Sequence, residues 1–463
     1  MTISDDGNPK FDWPLAHGAE ELLRGLMDGF LGRNGFARRL AERMREETGT
    51  DFYEWVDHLT VDPALLENLT GVGLREETIE APPGTRVLHH PKAMMPRVLV
   101  QPGGSQRGIP LIVAIRVESL ADFEEAHRIS AGINGPIGAG LRKAMIAPEV
   151  SGGLEGVERL GYRGFVQKEV PSGFAERVKN VRELWGKRSR SFPDDASGVR
   201  HAFLLQEKAI EMVGTDVACD LFFAEERAFW GQRNSAARVQ KRRQDRLGLG
   251  WANHDHHTYR CSRALFADVV EFFGRFGFRK RERYYAGAEA GWGAQIMEQP
   301  VTGIVVFADV DLMPGEIEVD FSTQRLPEAG RLGTVGLWCA LHGDSFLQAG
   351  MHHLEARFDF PRLRDQLATE GIGSMKPFSD FPFLKQAFTE GERWKVSQER
   401  LAKLLARGLI TAEQAESFAR DGAIGSHLEN LQRRGGFKGF NQKSVSAIIA
   451  ATDPRNVREV SNA

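Results

Sequence analysis

The stretch NHDHHTYRCSRALFADVVEFFGRFGF, residues 253–278, joins a polar, histidine-rich strand to an amphipathic helix. Three of the 13 histidines of the chain lie within its first five residues. The helix is indicated by apolar side chains at helical spacing, namely Leu265, Val269, Phe272 and Phe273. Gly274 and Gly277 are typical of a helix end. The stretch therefore predicts a strand that is followed immediately by a helix.

Two other stretches repeat this strand–helix start. Residues 112–117 alternate as a strand does, and Ser119 can cap a helix that begins near Leu120. Residues 350–372, GMHHLEARFDFPRLRDQLATEGI, again give a strand, a turn and a helix with a terminal glycine. A repeat of about 100 residues is too long for a solenoid and favours paired βαβββ modules. We therefore predict an α+β fold in which such modules curl into half-barrels, with extra helices.

The densest basic run, RVQKRRQDR at residues 238–246, precedes Gly248 and Gly250. We predict a domain boundary at these glycines. Residues 1–247 would form an N-terminal domain, and residues 248–463 would form a C-terminal domain. The basic run is typical of a solvated helix face before a linker, and an anion-binding patch is the alternative.

The overall composition is that of an ordinary globular protein, with 41% apolar and 27% charged residues. The net charge of −3 gives no electrostatic reason to expect binding to nucleic acid or to an anionic membrane. Three widely spaced cysteines suit neither a disulfide framework nor a zinc motif. The polar, acidic N-terminus does not resemble a signal peptide. We therefore expect a cytoplasmic protein, which could form a homodimer.

The placement of the histidines predicts a metal site. His254, His256 and His257 lie on one predicted strand, and His352 and His353 lie on another. Because side chains alternate across a strand, His254 and His256 should share a face, and only one of the second pair should point inward. Two imidazoles need a third, anionic ligand to suit Fe(II), so we expect a site with two histidines and one carboxylate.

The residues alone leave the identity of this carboxylate open. Four candidates lie on or near predicted strands: Glu298, Glu318, Glu355 and Glu429. A helical conformation of the stretch SHLENLQRR would leave Glu429 in solvent, which is the alternative to a role as ligand.

Four stretches of the C-terminal half resemble the 4-hydroxyphenylpyruvate dioxygenase family of the vicinal-oxygen-chelate superfamily. The first is HDHHTYRCS with the helix end FFGRFGF, which is similar to that family's first ligand strand. GIVVFADVDLMPGEIEV resembles its central strands, and LHGDSFLQAGMHHLEARFD resembles its second ligand strand. LENLQRRGGFKGFNQKSVSAII resembles its closing segment, in which a Leu-Glu strand and a Gly-Phe-Gly turn precede a gating helix.

The resemblance implies that His256, His353 and Glu429 are the iron ligands. It also implies that the N-terminal domain, residues 1–247, contains a degenerate, metal-free βαβββ module, with Ile112 where a ligand would otherwise lie. Residues 248–463 would then be the metal-binding catalytic domain with a closing helix. His352 stands where the family usually has glutamine, and Arg260 stands where it has a small polar residue that faces the substrate. Both are therefore candidate substrate-binding residues, whereas no catalytic acid or base can be named.

Arg260 should share a face with His256 and point into the site. Its guanidinium would then need an anionic partner, because an unpaired buried charge is costly. The partner is either a neighbouring glutamate, such as Glu298 or Glu318, or the carboxylate of a substrate.

The function implied is that of a non-haem Fe(II)-dependent oxygenase acting on a small keto or amino acid and O₂, with oxidative decarboxylation. The alternative is an O₂-independent lyase or isomerase that uses another divalent metal and a second carboxylate, for which Glu318 is available. A third hypothesis, a non-enzymatic binding protein, predicts no stoichiometric metal. No nicotinamide-binding or phosphate-binding glycine motif is present in the sequence.

Overall fold

A computed structural model describes residues 13–102, 109–286, 290–316, 320–441 and 453–455. The strands are β1 (Val56–Val61), β2 (Arg75–Glu76), β3 (Arg86–His89), β4 (Arg97–Val100), β5 (Leu111–Arg116), β6 (Leu141–Glu149), β7 (Gly152–Arg159), β8 (His254–Cys261), β9 (Arg279–Tyr285), β10 (Trp292–Glu298), β11 (Val305–Asp311), β12 (His353–Arg357), β13 (Ser379–Phe381), β14 (Leu384–Phe388), β15 (Glu392–Trp394) and β16 (Ala423–Arg433). The predicted closing helix at 442–451 and the candidate Glu318 lie outside the described residues.

The α-helices flank two sheets. They are α1 (His17–Leu31), α2 (Gly35–Arg43), α3 (Leu66–Gly71), α4 (Leu120–His127), α5 (Phe174–Gly186), α6 (Asp195–Val213), α7 (Thr215–Gln232), α8 (Ser235–Asp245), α9 (Phe266–Arg275), α10 (Thr334–His342), α11 (Phe360–Thr369), α12 (Gln398–Ala406) and α13 (Ala412–Asp421). Within the described residues, no helix combines the length and the apolarity that crossing a membrane would require.

The N-terminal sheet has the strand order β2-β3-β4-β1-β5-β7-β6. It contains two strand–helix starts, β1 with α3 and β5 with α4, and the two leading strands pair antiparallel at its centre. The start at β5 was predicted, and Ser119 does cap α4 by accepting from the backbone N–H of Asp122. The start at β1, in the sequence VDHLTV, was missed, because α3 after it is only six residues long.

The C-terminal sheet repeats this plan in the order β13-β14-β16-β12-β8-β11-β10-β9. Its leading strands β8 and β12 pair antiparallel, and each also pairs in parallel with the last strand of its own module, β11 and β16 respectively. The predicted α+β fold of paired βαβββ modules in half-barrels is thereby confirmed. The segment that contains Glu429 is strand β16, so the helical alternative for it is wrong.

The glycines at the predicted domain boundary are tightly packed. Gly248 and Gly250 adopt φ of +65° and +62°. A Cβ atom on Gly248 would collide with the backbone of α4 at Phe123, and one on Gly250 would collide with the Glu118 side chain just before α4. The basic run before them lies in and just after α8. One side of this helix is buried, since Gln240 donates to the Thr48 carbonyl and Arg243 to the Glu47 carbonyl. The boundary itself stays a prediction.

Candidate metal centre

Three neighbouring strands of the C-terminal sheet carry the predicted ligands. β12 lies between β8 and β16, and the register places Glu355 of β12 opposite both His256 and Glu429. His353 lies two residues before Glu355 on the same strand, so both side chains point to the same face. His256, His353 and Glu429 are all buried, with exposed fractions of 2%, 6% and 2%.

The Glu355 carboxylate stands between the two imidazoles. Its Oε1 atom lies 2.8 Å from Nε2 of His256 and 2.6 Å from Nε2 of His353. Oε2 of Glu429 lies 3.7 Å from the same His353 nitrogen, and Thr258 donates its hydroxyl to Glu355 over 3.1 Å. Two histidines and two carboxylates therefore converge, one carboxylate more than the ligand set that the resemblance implies.

Each imidazole is oriented through its other ring nitrogen. Nδ1 of His256 lies 2.9 Å from Asp255, which is held in turn by two hydrogen bonds from Arg433. Nδ1 of His353 lies 3.2 Å from Nε2 of His427. Because the Asp255 carboxylate can only accept, Nδ1 of His256 carries the proton and its Nε2 lone pair is directed at the shared centre, which is the tautomer that a metal ligand needs. If Nδ1 of His353 donates to His427, His353 has the same tautomer.

Burial sets the protonation states of these groups. It lowers the pKa of His256 to about 4, against the opposing effect of Asp255, and it lowers the pKa of His353 well below the usual range. Burial also raises the pKa of Glu429 to about 7, and burial together with the neighbouring Glu429 raises the pKa of Glu355. The imidazoles are thus neutral, and a bound cation would favour ionisation of both carboxyl groups.

The remaining predicted histidines require two corrections. His254 does not share the site with His256, because a β-bulge displaces it, and its ring lies edge-on to His257 at 5.2 Å. His352 and His353 both line the cavity, whereas strict alternation allowed only one of them. Alternation does not apply to His352, because it lies in a bend before β12 begins.

The cavity beside the centre has a volume of about 80 Å³ and contains Arg260. Nε and Nη1 of its buried guanidinium have no hydrogen-bond partner among the described residues. Glu298, a predicted partner, instead pairs with Lys438 at 3.0 Å. Asp309 is the register neighbour of Arg260 on β11, and its Oδ1 atom also has no partner among the described residues. The cavity therefore contains the guanidinium of Arg260 with hydrogen-bond donors that are free within the described residues, to which a small acid would bind.

Asp309 should make the stability of the protein depend on pH. Burial raises the pKa of its carboxyl from 3.8 to about 7, although Arg260 opposes this rise. The folded state therefore favours the protonated form, and the free energy of unfolding should fall as the pH rises from 3.8 to about 7 and level off above it. One such group contributes a slope of up to about 1.4 kcal/mol per pH unit. Urea unfolding between pH 5.5 and 8 should show a shallower dependence for Asp309→Asn, and an unchanged slope would contradict this assignment.

The N-terminal sheet contains a related but altered set. His58, Ile112 and Glu155 occupy the register positions of the three predicted ligands, in chain order. Nδ1 of His58 lies 2.7 Å from the carboxylate of Asp57, as in the C-terminal centre. However, the middle position is apolar, and the Lys143 ammonium lies 3.5 Å from Glu155. In the N-terminal sheet, the ammonium of Lys143 thus lies beside Glu155, the residue that corresponds to Glu429.

Sequence reasoning missed two members of the C-terminal centre. His427 was not considered, and Glu355 was only one of four candidate carboxylates. Strand alternation could have found both, since His427 precedes Glu429 by two residues and Glu355 follows His353 by two. His58 could have been found in the same way from the Asp-His pair that it shares with His256.

Comparison with protein-family models finds no match, and comparison with curated proteins finds none either. Among solved structures, the chain is similar to a mutant 4-hydroxymandelate synthase from Streptomyces coelicolor, with 12% identity, a TM-score of 0.29, and coverage of 87% of this chain and 99% of that one. It is also similar to methylmalonyl-CoA epimerase from Mycobacterium tuberculosis, at 10% identity, a TM-score of 0.23, and coverage of 39% and 88%. A fusion of a xylose isomerase-like TIM barrel with 4-hydroxyphenylpyruvate dioxygenase matches at 10% identity and a TM-score of 0.23, over 91% of this chain and 57% of that chain.

Proposed function

We propose that this chain is a non-haem Fe(II)-dependent oxygenase that acts on a small keto or amino acid, with oxidative decarboxylation. The observation that carries the proposal is the convergence of two neutral imidazoles and two buried carboxyl groups beside an unsatisfied arginine. His256, His353 and Glu429 would hold the metal. This donor set fits Fe(II), which favours two histidines and one carboxylate with positions left open for other ligands.

Iron would supply the binding and reduction of O₂ and a chelation site for the acid. The chain's own residues would hold and shield these reactants. Asp255 and His427 fix the two imidazole rings, and Gln386 donates to Glu429 over 2.8 Å. The rings of Phe307 and Phe440 lie 4.5 and 5.0 Å from that of His256, which keeps bulk water away from this side of the centre.

The volume and charge of the cavity favour a compact acid over a large aromatic one. About 80 Å³ is far less than the several hundred Å³ of pockets that enclose drug-sized ligands. Arg260 would bind the substrate carboxylate through two parallel hydrogen bonds, a geometry that a guanidinium provides and an ammonium does not. His352 lines the same cavity, and its Nε2 atom has no partner among the described residues, so it would be a second polar contact.

The function can be tested by metal analysis and oxygen uptake. Protein purified anaerobically should contain about one iron per chain after loading, and small keto and amino acids should then be screened for O₂ consumption. Release of CO₂ in step with O₂ uptake would support oxidative decarboxylation. Loaded protein that binds no stoichiometric iron, or that consumes no O₂ with any acid, would contradict the proposal.

The two carboxylates should differ in their effect on iron. Glu429→Gln keeps the side-chain shape but removes the charge, so we expect iron affinity to fall by about 100-fold with little change in thermal stability. Glu355→Gln should retain most of the affinity, since the proposed ligand set does not require it. Isothermal titration with Fe(II) under anaerobic conditions measures both. If Glu355→Gln loses iron and Glu429→Gln does not, the ligand carboxylate is Glu355.

Glu355 also supports a second candidate, an O₂-independent lyase or isomerase that uses another divalent metal. Such chemistry needs a carboxylate beside the metal to move a proton, and Glu355 lies within 2.8 Å of both imidazoles. It takes the role for which the sequence offered Glu318. Turnover under strict anaerobiosis with Zn²⁺ or Ni²⁺, abolished by Glu355→Gln while the metal stays bound, would favour this candidate over the oxygenase.

A further inference from the structure

A cleft of about 1280 Å³ lies outside the metal centre. The helices α5, α7 and α8 form one wall, and the start of α4 with the ends of β5 and β7 forms the other. It is far larger than the cavity beside Arg260, and no predicted ligand of the metal lines it. The proposed oxygenase function therefore makes no use of it.

Positive charge dominates the lining of this cleft. Ten arginine and lysine residues line it against six aspartate and glutamate residues, although the whole chain carries a net charge of −3. Several of the cations lack an ion pair within the described residues: Arg116, Lys179, Arg182, Arg227, Arg238 and Arg246. An excess of positive charge in a cleft produces a strong local electrostatic potential, which attracts anions.

Two of these cations lie deep in the cleft. Arg227 of α7 is only 6% exposed, and its Nε atom has no hydrogen-bond partner among the described residues. Its Nη1 donates a hydrogen bond to Nε2 of His257 over 3.2 Å. Arg116 at the end of β5 is half-buried and lines the same cleft. Glu118, Asp220 and Glu225 line the same cleft, but within the described residues neither guanidinium forms a close ion pair. An anion from outside the chain would supply that close contact.

The basic run 238–246 supplies the outer part of the same surface. Arg238, Lys241 and Arg242 follow the helical spacing that places them on one side of α8, and all three line the cleft. Gln240 and Arg243 belong to the buried side. The helix therefore turns its basic side to the cleft, in addition to the two deep arginines.

We infer that this cleft binds a small polyanion, a molecule with a phosphate group or with several carboxylates. Arg116 and Arg227 would contact the anionic group, because guanidinium groups bind phosphate and carboxylate oxygens in pairs. Arg182 and Arg246, both exposed, would attract it at the rim. Phosphate and carboxylate ligands share this chemistry, so the two sources have to be separated by experiment.

Isothermal titration of the metal-free protein tests this inference, because chelation at the metal centre then does not contribute. The titrants are inorganic pyrophosphate and citrate, at an ionic strength held constant with sodium chloride. Saturable binding of pyrophosphate alone would identify a phosphate ligand, and saturable binding of citrate alone would identify a polycarboxylate. The thermal midpoint should rise with the anion that binds and should not rise with sodium chloride.

Substitutions in the cleft distinguish a specific anion-binding site from non-specific electrostatic attraction of anions. Arg116→Met and Arg227→Met should each weaken binding by about 10-fold or more, as expected for loss of a charged hydrogen-bond donor. Arg182→Glu with Arg246→Glu changes only exposed residues, so it should weaken binding even if Arg227→Met fails to fold. Arg420→Glu, on the exposed surface of α13, is the matched control and should bind as the parent does. Absence of saturable binding by both anions, or equal affinity in all variants, would overturn the inference.

Discussion

Alanine at position 256 or 353 should remove the bound iron from an otherwise folded protein. Each change deletes one of the two imidazoles whose Nε2 atoms converge on the carboxylates. We expect the affinity for Fe(II) to fall by at least about 100-fold, since even the residues that merely orient a ligand cost about 10- to 100-fold when mutated. Anaerobic titration with Fe(II) gives the affinity, and far-UV circular dichroism verifies the fold.

The adjacent histidines provide the matched controls. His257 lies on the other side of β8, where its ring packs at 4.9 Å from that of Phe223, and His352 contacts the Gly425 carbonyl through Nδ1. His257→Ala and His352→Ala should therefore keep iron, although both remove a buried ring and should lower the thermal midpoint. Loss of iron in a control, together with its retention in His256→Ala or His353→Ala, would show that the ligand assignment is wrong.

Arg260→Lys should raise the KM for the acid by about 100-fold and leave the iron content unchanged. Lysine keeps the positive charge but cannot form two parallel hydrogen bonds to one carboxylate, so the geometry is lost while the electrostatic attraction remains. Steady-state O₂ uptake gives KM and kcat, and metal analysis gives the iron content. An unchanged KM would mean that Arg260 does not bind the substrate.

A purely structural role of Arg260 predicts a different pattern. If the residue serves only to neutralise Asp309, then Arg260→Met should unfold the protein, and the double variant Arg260→Met with Asp309→Asn should recover stability and also the parent KM. If Arg260 binds the substrate, the double variant should fold but keep the raised KM. The second variant thus decides between the two roles even when the first fails to fold.

We expect the choice of substrate to depend on Arg260 more than on the fold. The resemblance of the sequence to a family that acts on an aromatic keto acid covers the strands and the ligand positions. Arg260 departs from that family at a position that faces the cavity, and the cavity is small. We therefore expect a compact acid to be turned over, and the screen should include short keto and amino acids alongside aromatic ones.

The sequence by itself determined the repeated strand–helix units and the candidate ligands, because both leave local signals. Alternation predicted the strand at residues 112–117, and helical spacing predicted α9 and α11. Clustered histidines at the start of two such units indicated two ligand strands, and the family resemblance singled out His256 and His353 on them. The β1 unit gave no comparable signal, since the short α3 carries too few turns to show a period.

Only the tertiary structure decided which carboxylates meet these histidines. Strand pattern alone does not distinguish Glu298, Glu355 and Glu429, and the family resemblance singled out only Glu429. The register of β8, β12 and β16 brings both Glu355 and Glu429 to the centre and leaves Glu298 beside Lys438. Sheet register depends on pairing between residues 70 to 100 positions apart in the chain, which local patterns do not encode. The basic cleft was also decided by the tertiary structure. The sequence shows only a charge run at residues 238–246, and the fold places this run in one lining with residues of α5, α7 and the end of β5.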